Sequence, residues 1–316
     1  MKYYINNSKI PPVAIGTWAW GSGMNGSKMI FGTSSDESTI KEAFAAAYKN
    51  GFNLIDTSAV YGMGNAERIL GDCIKNKSII LSDKYTPSTK FDPKSIEDML
   101  AASTSRLHGK IPDIYWLHMP VNLEKNIEHM CRLLKQKKIG SIGVSNCSME
   151  QILKAQEIIN RFGFKLAGVQ NHYSLLYRSS EKSGITRWCQ ENSVPFFAYM
   201  VLEQGALTGR FDGEHGFPFF SRRGFAFPKR KLRRIEPLLV KLKNIGESHG
   251  ISTAQTAIAW AIAKGTVPLI GVTKPYQAKS LVKLDTIILS ESETAVLDST
   301  AEATGIEVPG IWEKRG

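Results

Sequence analysis

The chain is poor in the residues that mark several large classes of protein. Only four of its 316 residues are cysteine (Cys73, Cys131, Cys147 and Cys189), and no two form a C-x-x-C pair. That spacing speaks against a disulfide scaffold or a zinc ribbon, and reduced thiols in a cytoplasmic setting are expected. Histidine is scarce, with six residues and no two at a metal-gripping spacing, so no metal centre is expected. No apolar run reaches the ~18 residues that a membrane span requires. The opening MKYYINNSKI lacks the apolar stretch of a secretory leader. A membrane is therefore not expected as a partner. Low-complexity tracts and Pro/Ser-rich linkers are missing too, and 1–316 reads as a single domain.

Acidic residues are outnumbered 29 to 40, a net charge of +11. The excess is concentrated: Arg222 to Arg234 (RRGFAFPKRKLRR) holds seven basic residues and no acid. No specific nucleic-acid module accompanies this block, and a small phosphate-bearing ligand is the better expectation for part of it.

What is present is a rhythm. Hydrophobic residues make up 42% of the chain, enough for a large core. Short β-branched and aromatic runs at 14–20, 53–57, 78–84, 113–119, 138–145, 166–171, 195–201 and 267–272 read as strands. Amphipathic stretches between them, including 36–51, 93–109, 124–138, 148–163, 180–192 and 252–265, read as helices, with Asp36 or Ser38 and Pro93 as start signals. Eight strand–helix units in roughly 270 residues predict an α/β fold, a (β/α)8 TIM barrel. An open doubly wound sheet is the alternative, because alternation alone does not close a ring. Residues 3–11 add an N-terminal hairpin turning at Asn6-Asn7. A long inserted loop plus an extra helix follow strand seven at about 203–250, and a C-terminal helix and tail complete the chain.

In such a barrel, chemistry gathers at the C-terminal strand ends. This sequence puts Asp56 there on strand two with Tyr61 in the loop beyond, Lys84 on strand three and His118 on strand four. Ser145-Asn146, Gln170-Asn171 and Tyr199 end strands five to seven. Each has a plain structural explanation: Asp56 as a turn cap, Lys84 reaching solvent, His118 as a bonded core histidine. Together they suit a general-acid site. A lysine ammonium lowers a tyrosine's pKa from its usual ~10, an aspartate orients the lysine, and a histidine directs a carbonyl oxygen. Side chains cannot supply a hydride, so a nicotinamide or flavin is implied.

The blocks IGTWAWG (15–21), GFNLIDTSAVYGMGNAE (51–67), DIYWLHMP (113–120), KKIGSIGVSN (137–146), GVQNHYSLLYR (168–178), AYMVLEQGALTGRF (198–211) and PLIGVTKPYQ (268–277) resemble the aldo-keto reductases over nearly the whole chain. The resemblance implies NADPH-dependent reduction of an aldehyde or ketone, with Asp56, Tyr61, Lys84 and His118 as catalytic tetrad and Tyr61 as proton donor. It implies Ser145, Asn146 and Gln170 on the cofactor's carboxamide and Tyr199 stacked on the nicotinamide. Thr17, Trp18, Met200, Val201, Leu202, Gln204 and Gly205 are implied along the cofactor. Gly271, Thr273, Lys274 and Gln277 are implied around the adenosine 2′-phosphate, where backbone N–H groups at a helix start would form a cradle. It further implies a small carbonyl substrate and a monomer or small homo-oligomer. A regulatory, redox-sensing protein that keeps the cofactor site is the alternative.

The chain departs from that family at several points. Ser280 and Leu281 stand where Glu and Asn commonly grip the adenine, Met200-Val201 replaces a polar-then-proline pair, and Glu203 replaces a small residue. Arg222 and Arg223 are expected to neutralise Glu203 by folding over the pyrophosphate. Asp83, where threonine is common, is expected to point away from the tetrad by strand alternation. The G-x-G-x-x-G run Gly21–Gly26 is set aside as a dinucleotide fingerprint, because 27–35 reads as continuing loop and Asp56 lies 30 residues on. No Tyr-x-x-x-Lys pair exists, which argues against a short-chain dehydrogenase. Trp18, Trp20, Met119, Phe219, Phe220 and Trp312 are candidates for an apolar substrate pocket.

Overall fold

A computed structural model describes residues 3–23, 26–306 and 308. The chain begins with two short antiparallel strands, β1 (Tyr4–Ile5) and β2 (Ser8–Lys9). Asn6 and Asn7 take left-handed φ of 47° and 65° between them, the backbone that a tight hairpin demands and Asn tolerates. Ile5 and Ile10 turn inward against Ala14, Leu54, Ile80, Ile114, Trp116, Phe197 and Val267, and Asn6 Nδ2 donates to the Asp113 carbonyl at 3.0 Å. The hairpin therefore plugs the lower end of the main sheet.

That sheet is a ring. Eight parallel strands close into a barrel: β3 (Ala14–Gly16), β4 (Leu54–Asp56), β5 (Ile80–Tyr85), β6 (Ile114–Leu117), β7 (Ile142–Ser145), β8 (Leu166–His172), β9 (Phe196–Tyr199) and β10 (Val267–Gly271), with β10 returning to β3. The expected TIM barrel is present, and the open-sheet alternative is excluded by this closure. The strands are shorter than the apolar runs that announced them, because pairing stops where the chain bends into the adjoining loop. Register sets functional residues at matching heights: Asp56 pairs with Gly16 and Ser82, Ser145 with Gln170, and His172 with Tyr199.

The helices form where their caps say they should. Asp36 accepts the Thr39 N–H at 2.8 Å before Glu37–Lys49, and Pro93 opens Pro93–Arg106. Ser148, Ser252 and Ser290 make reciprocal capping boxes with Gln151, Gln255 and Glu293. Three differences from the sequence reading have local causes. The helix Asn65–Ile74 has Gly64 in left-handed backbone at its N-cap, so it carries no side-chain start signal. The expected helix at 180–192 is broken by Gly184 (φ 80°) into Ser179–Lys182 and Ile185–Glu191. Residues Ser27–Phe31, expected as loop, form a short helix starting at Gly26. That corrects one ground for setting aside the glycine run, but the closed barrel around it still excludes a doubly wound dinucleotide fold.

The insertion after β9 holds a 3-10 segment (Glu203–Thr208), a short helix (Arg222–Ala226) and the helix Lys229–Ser248, against which the C-terminal helix Glu291–Ala303 packs. Its seven basic residues do not form one patch. Arg234 donates to the carbonyls of Thr304 and Gly305, Lys231 donates to the Ala226 carbonyl, and Arg223 is buried.

Trp116 fills the barrel centre because glycines yield space to it. A Cβ on Gly143 would lie 2.3 Å from its ring, and one on Gly168 2.9 Å away. Gly143→Ala must displace that ring and is expected to destabilise the fold by ~1–3 kcal/mol. Urea unfolding should report this as a lower midpoint at unchanged slope.

Candidate active site

The upper rim of the barrel is built from alternation. On β5, Ser82 and Lys84 are two residues apart and point to the interior, while Asp83 points to the helical layer. Asp56, the last residue of β4, is buried and accepts from three donors: Lys84 Nζ at 2.5 Å, Ser82 Oγ at 2.7 Å and Gln170 Nε2 at 3.2 Å. Ser82 in turn accepts from Trp116 Nε1 at 2.7 Å. Lys84 is 0% exposed and also donates to the Thr57 carbonyl at 2.7 Å. Burial works against its charge, but the Asp56 carboxylate and the Tyr61 oxygen outweigh it and raise its pKa.

Tyr61 stands on the loop after β4, its ring 4.9 Å from the Lys84 ammonium. Trp18 stacks beside it at 6.1 Å, and Phe31 packs edge-on against Trp18. The expectation that lysine leaves this phenol unusually acidic is corrected. Burial pushes its pKa up, Lys84 pulls it down by less, and the net direction is upward. The phenol is therefore held protonated. His118 follows β6, with Nδ1 2.7 Å from Thr86 Oγ1. Burial first, and the Lys84 charge second, depress its pKa to about 3, so the imidazole is neutral at physiological pH.

The remaining rim residues also converge. Asn146 Nδ2 donates to the His118 carbonyl at 2.8 Å, and the Tyr199 hydroxyl donates to Asn146 Oδ1 at 2.6 Å. Ser145 Oγ donates to the Gln170 carbonyl at 2.7 Å. Thr17 donates to Thr57 Oγ1, and Met200 holds a left-handed φ of 61° after β9. Beyond β10, Gln277 Oε1 accepts the backbone N–H groups of Thr273 and Lys274 at 2.8 and 2.9 Å. The expected cradle of bare amides is thus capped by its own chain. Ser280 Oγ turns back to the Gln277 carbonyl.

Three more expectations change. Glu203 is not paired with Arg222 or Arg223. Its Oε1 lies 2.7 Å from His172 Nε2 and accepts from Ser174 Oγ. Arg222 is exposed, whereas Arg223 is buried between the rings of Phe211 and Phe217 at 5.1 and 4.8 Å. Trp20 belongs to the core, 2% exposed and donating to the Val272 carbonyl at 2.6 Å. Phe219 and Phe220 stand exposed on the insertion, Met119 is half-buried, and Trp312 lies outside the described residues. Sequence reasoning missed Ser82, Thr86 and His172. The first and last were available from alternation, each two residues from a candidate on its own strand.

A buried lysine–aspartate pair, a phenol and a histidine thus meet at the mouth of a parallel barrel. The sequence agrees: residues 12–302 match the aldo/keto reductase family model, and the chain belongs to the aldo/keto reductase family. It is 28% identical to the chloroplastic pyridoxal reductase of Arabidopsis thaliana over 83% of this chain and 75% of that protein. It is 30% identical to an uncharacterised oxidoreductase of Mycobacterium bovis over 93% and 90%. Its fold is similar to that of the glycerol dehydrogenase AKR11B4 of Gluconobacter oxydans, with TM-score 0.82 at 23% identity over 99% of both chains. Among the described residues, no helix is long and apolar enough to cross a membrane.

Asp83 carries its own consequence. Burial, and then the neighbouring Glu67, raise its carboxyl well above the usual range. Stability tied to that proton is complete below the unfolded value of ~3.9 and is lost as pH rises through the raised folded value. Asp83→Asn cannot ionise and keeps an acceptor for the Lys84 N–H, which Asp83 Oδ1 now takes at 2.8 Å. It is expected to exceed the wild type at pH 8 by more than ~1 kcal/mol, the gap closing toward pH 4, in urea midpoints measured at both.

Proposed function

We propose that the protein reduces an aldehyde or ketone to the alcohol with NADPH, with Tyr61 giving the proton. The observation that carries this reading is the Tyr61 ring set 4.9 Å from the Lys84 ammonium, which is itself bonded to Asp56 in a buried pair. When bound, NADPH supplies a hydride. Everything else falls to the chain itself. Asp56 fixes the Lys84 ammonium, and Lys84 stabilises the phenolate as the proton leaves Tyr61 for the nascent alkoxide. Neutral His118 can orient the carbonyl oxygen through Nε2 in the tautomer whose Nδ1 accepts from the Thr86 hydroxyl.

The residues present fit the dinucleotide. Tyr199 is half-buried at the rim with His172 stacked at 5.5 Å, and its flat π-face suits the nicotinamide ring. Ser145, Asn146 and Gln170 lie beside it for the carboxamide, with Thr17 and Trp18 across the mouth. Met200, Val201, Leu202, Gln204 and Gly205 form the loop toward the phosphates. Arg223 has no carboxylate partner among the described residues, its Nε is buried and unbonded, and Gln204 Oε1 beside it is unbonded too. Burial and Arg210 lower its pKa to about 10, so it stays charged at neutral pH. An unpaired buried guanidinium calls for an anion, and the pyrophosphate supplies one. Gly271, Thr273, Lys274 and Gln277 fit the 2′-phosphate end, where the Lys274 ammonium and Thr273 hydroxyl carry the contact. We place the enzyme in the cytoplasm, which suits four buried, free cysteines.

Tyr61→Phe is expected to cut NADPH-dependent turnover of 4-nitrobenzaldehyde by about a thousandfold while NADPH binding persists. Full activity of that variant would reject Tyr61 as the donor. Arg223→Ala is expected to raise the NADPH dissociation constant at least ~tenfold, and Arg222→Ala to leave it unchanged. Fluorescence titration of the cofactor-free protein reads both, and an unchanged constant for Arg223→Ala would remove it from the site.

A further inference from the structure

The segment after β9 is held in costly backbone. Met200, Glu203 and Gln204 all take left-handed φ (61°, 46° and 56°), a region that non-glycine residues occupy only when their surroundings enforce it. Within this run Val201 joins the core, and Glu203, 0% exposed, turns its carboxylate to His172 at the end of β8 and Ser174 just past it. The His172 ring is clamped between Tyr177 (4.1 Å, 10°) and Tyr199 (5.5 Å, 21°), so one contact ties the loop to the back of the Tyr199 ring. Glu203 Oε2 and His172 Nδ1 are both buried without a partner.

We propose that His172 and Glu203 are positioning residues, which lock the 200–205 loop and the Tyr199 ring in the cofactor-ready arrangement before any ligand arrives. The proposal rests on the reductase reading for what the loop receives, and on this chain's own contacts for how it is held. Neither side chain touches the reacting atoms. Their effect is preorganisation: without the anchor the loop relaxes, and binding must reorder it.

Three variants separate this from a merely structural role. Glu203→Gly suits the left-handed backbone but deletes the anchor. Glu203→Gln keeps an acceptor for His172 and Ser174. His172→Phe keeps a flat ring between the tyrosines but has no hydrogen bond. In the cofactor-free protein, Glu203→Gly and His172→Phe are expected to speed amide hydrogen exchange across 200–205 by ~tenfold or more, with Glu203→Gln close to wild type. Their NADPH dissociation constants, by fluorescence titration, are expected to rise ~tenfold, again with Glu203→Gln near wild type. Wild-type exchange and affinity in Glu203→Gly would overturn the proposal, as would a failure of Glu203→Gln to rescue. Exchange is read without cofactor. A wild-type protein that ignored NADPH would therefore sink the reductase reading and leave the anchoring claim to be decided by exchange alone.

Discussion

The contact on which the rest depends is the ion pair between Lys84 and Asp56, sealed from solvent at the upper end of the barrel. Two charges taken out of water are costly unless every donor and acceptor around them is used, and breaking such a pair from one side costs ~3–5 kcal/mol. Here the surroundings are fully used. Asp56 takes three donors from two strands, Lys84 adds the Thr57 carbonyl with the Tyr61 ring beside it, and Ser82 passes the network down to Trp116 in the centre. The glycines that admit Trp116 and the hydroxyl that touches Asp56 thus belong to one arrangement. Barrel packing and site geometry are fixed together.

One ammonium also sets the protonation of its neighbours. It acts with burial to keep His118 neutral, and against burial to restrain the rise of the Tyr61 pKa. A single buried cation therefore leaves one group as a neutral hydrogen-bonding partner and the other as a retained acid. No second titrating base is required beside them. The two roles are separated by position: His118 follows a rigid strand, and Tyr61 stands on a loop.

Much of this was legible in the sequence. The eight strands were visible because parallel strands covered on both faces read as unbroken apolar runs. Asp56, Lys84 and His118 were visible because a barrel sends strand-end residues to one face. What escaped has a physical reason in each case. The helix Asn65–Ile74 starts on a glycine whose left-handed backbone replaces a capping side chain. The partner of Glu203 was misjudged because the insertion was expected to bring Arg222 and Arg223 over it, whereas His172 reaches it through the β8–β9 pairing. The capped amides at Thr273 and Lys274 depend on a rotamer of Gln277 that composition does not reveal. Burial decided the direction for Tyr61, and burial is a property of the assembled fold.

The hairpin at the start of the chain has a consequence for traffic. With Ile5 and Ile10 corking one end and an indole filling the middle, the barrel has no passage through it. Whatever visits the rim must arrive and depart from the same side.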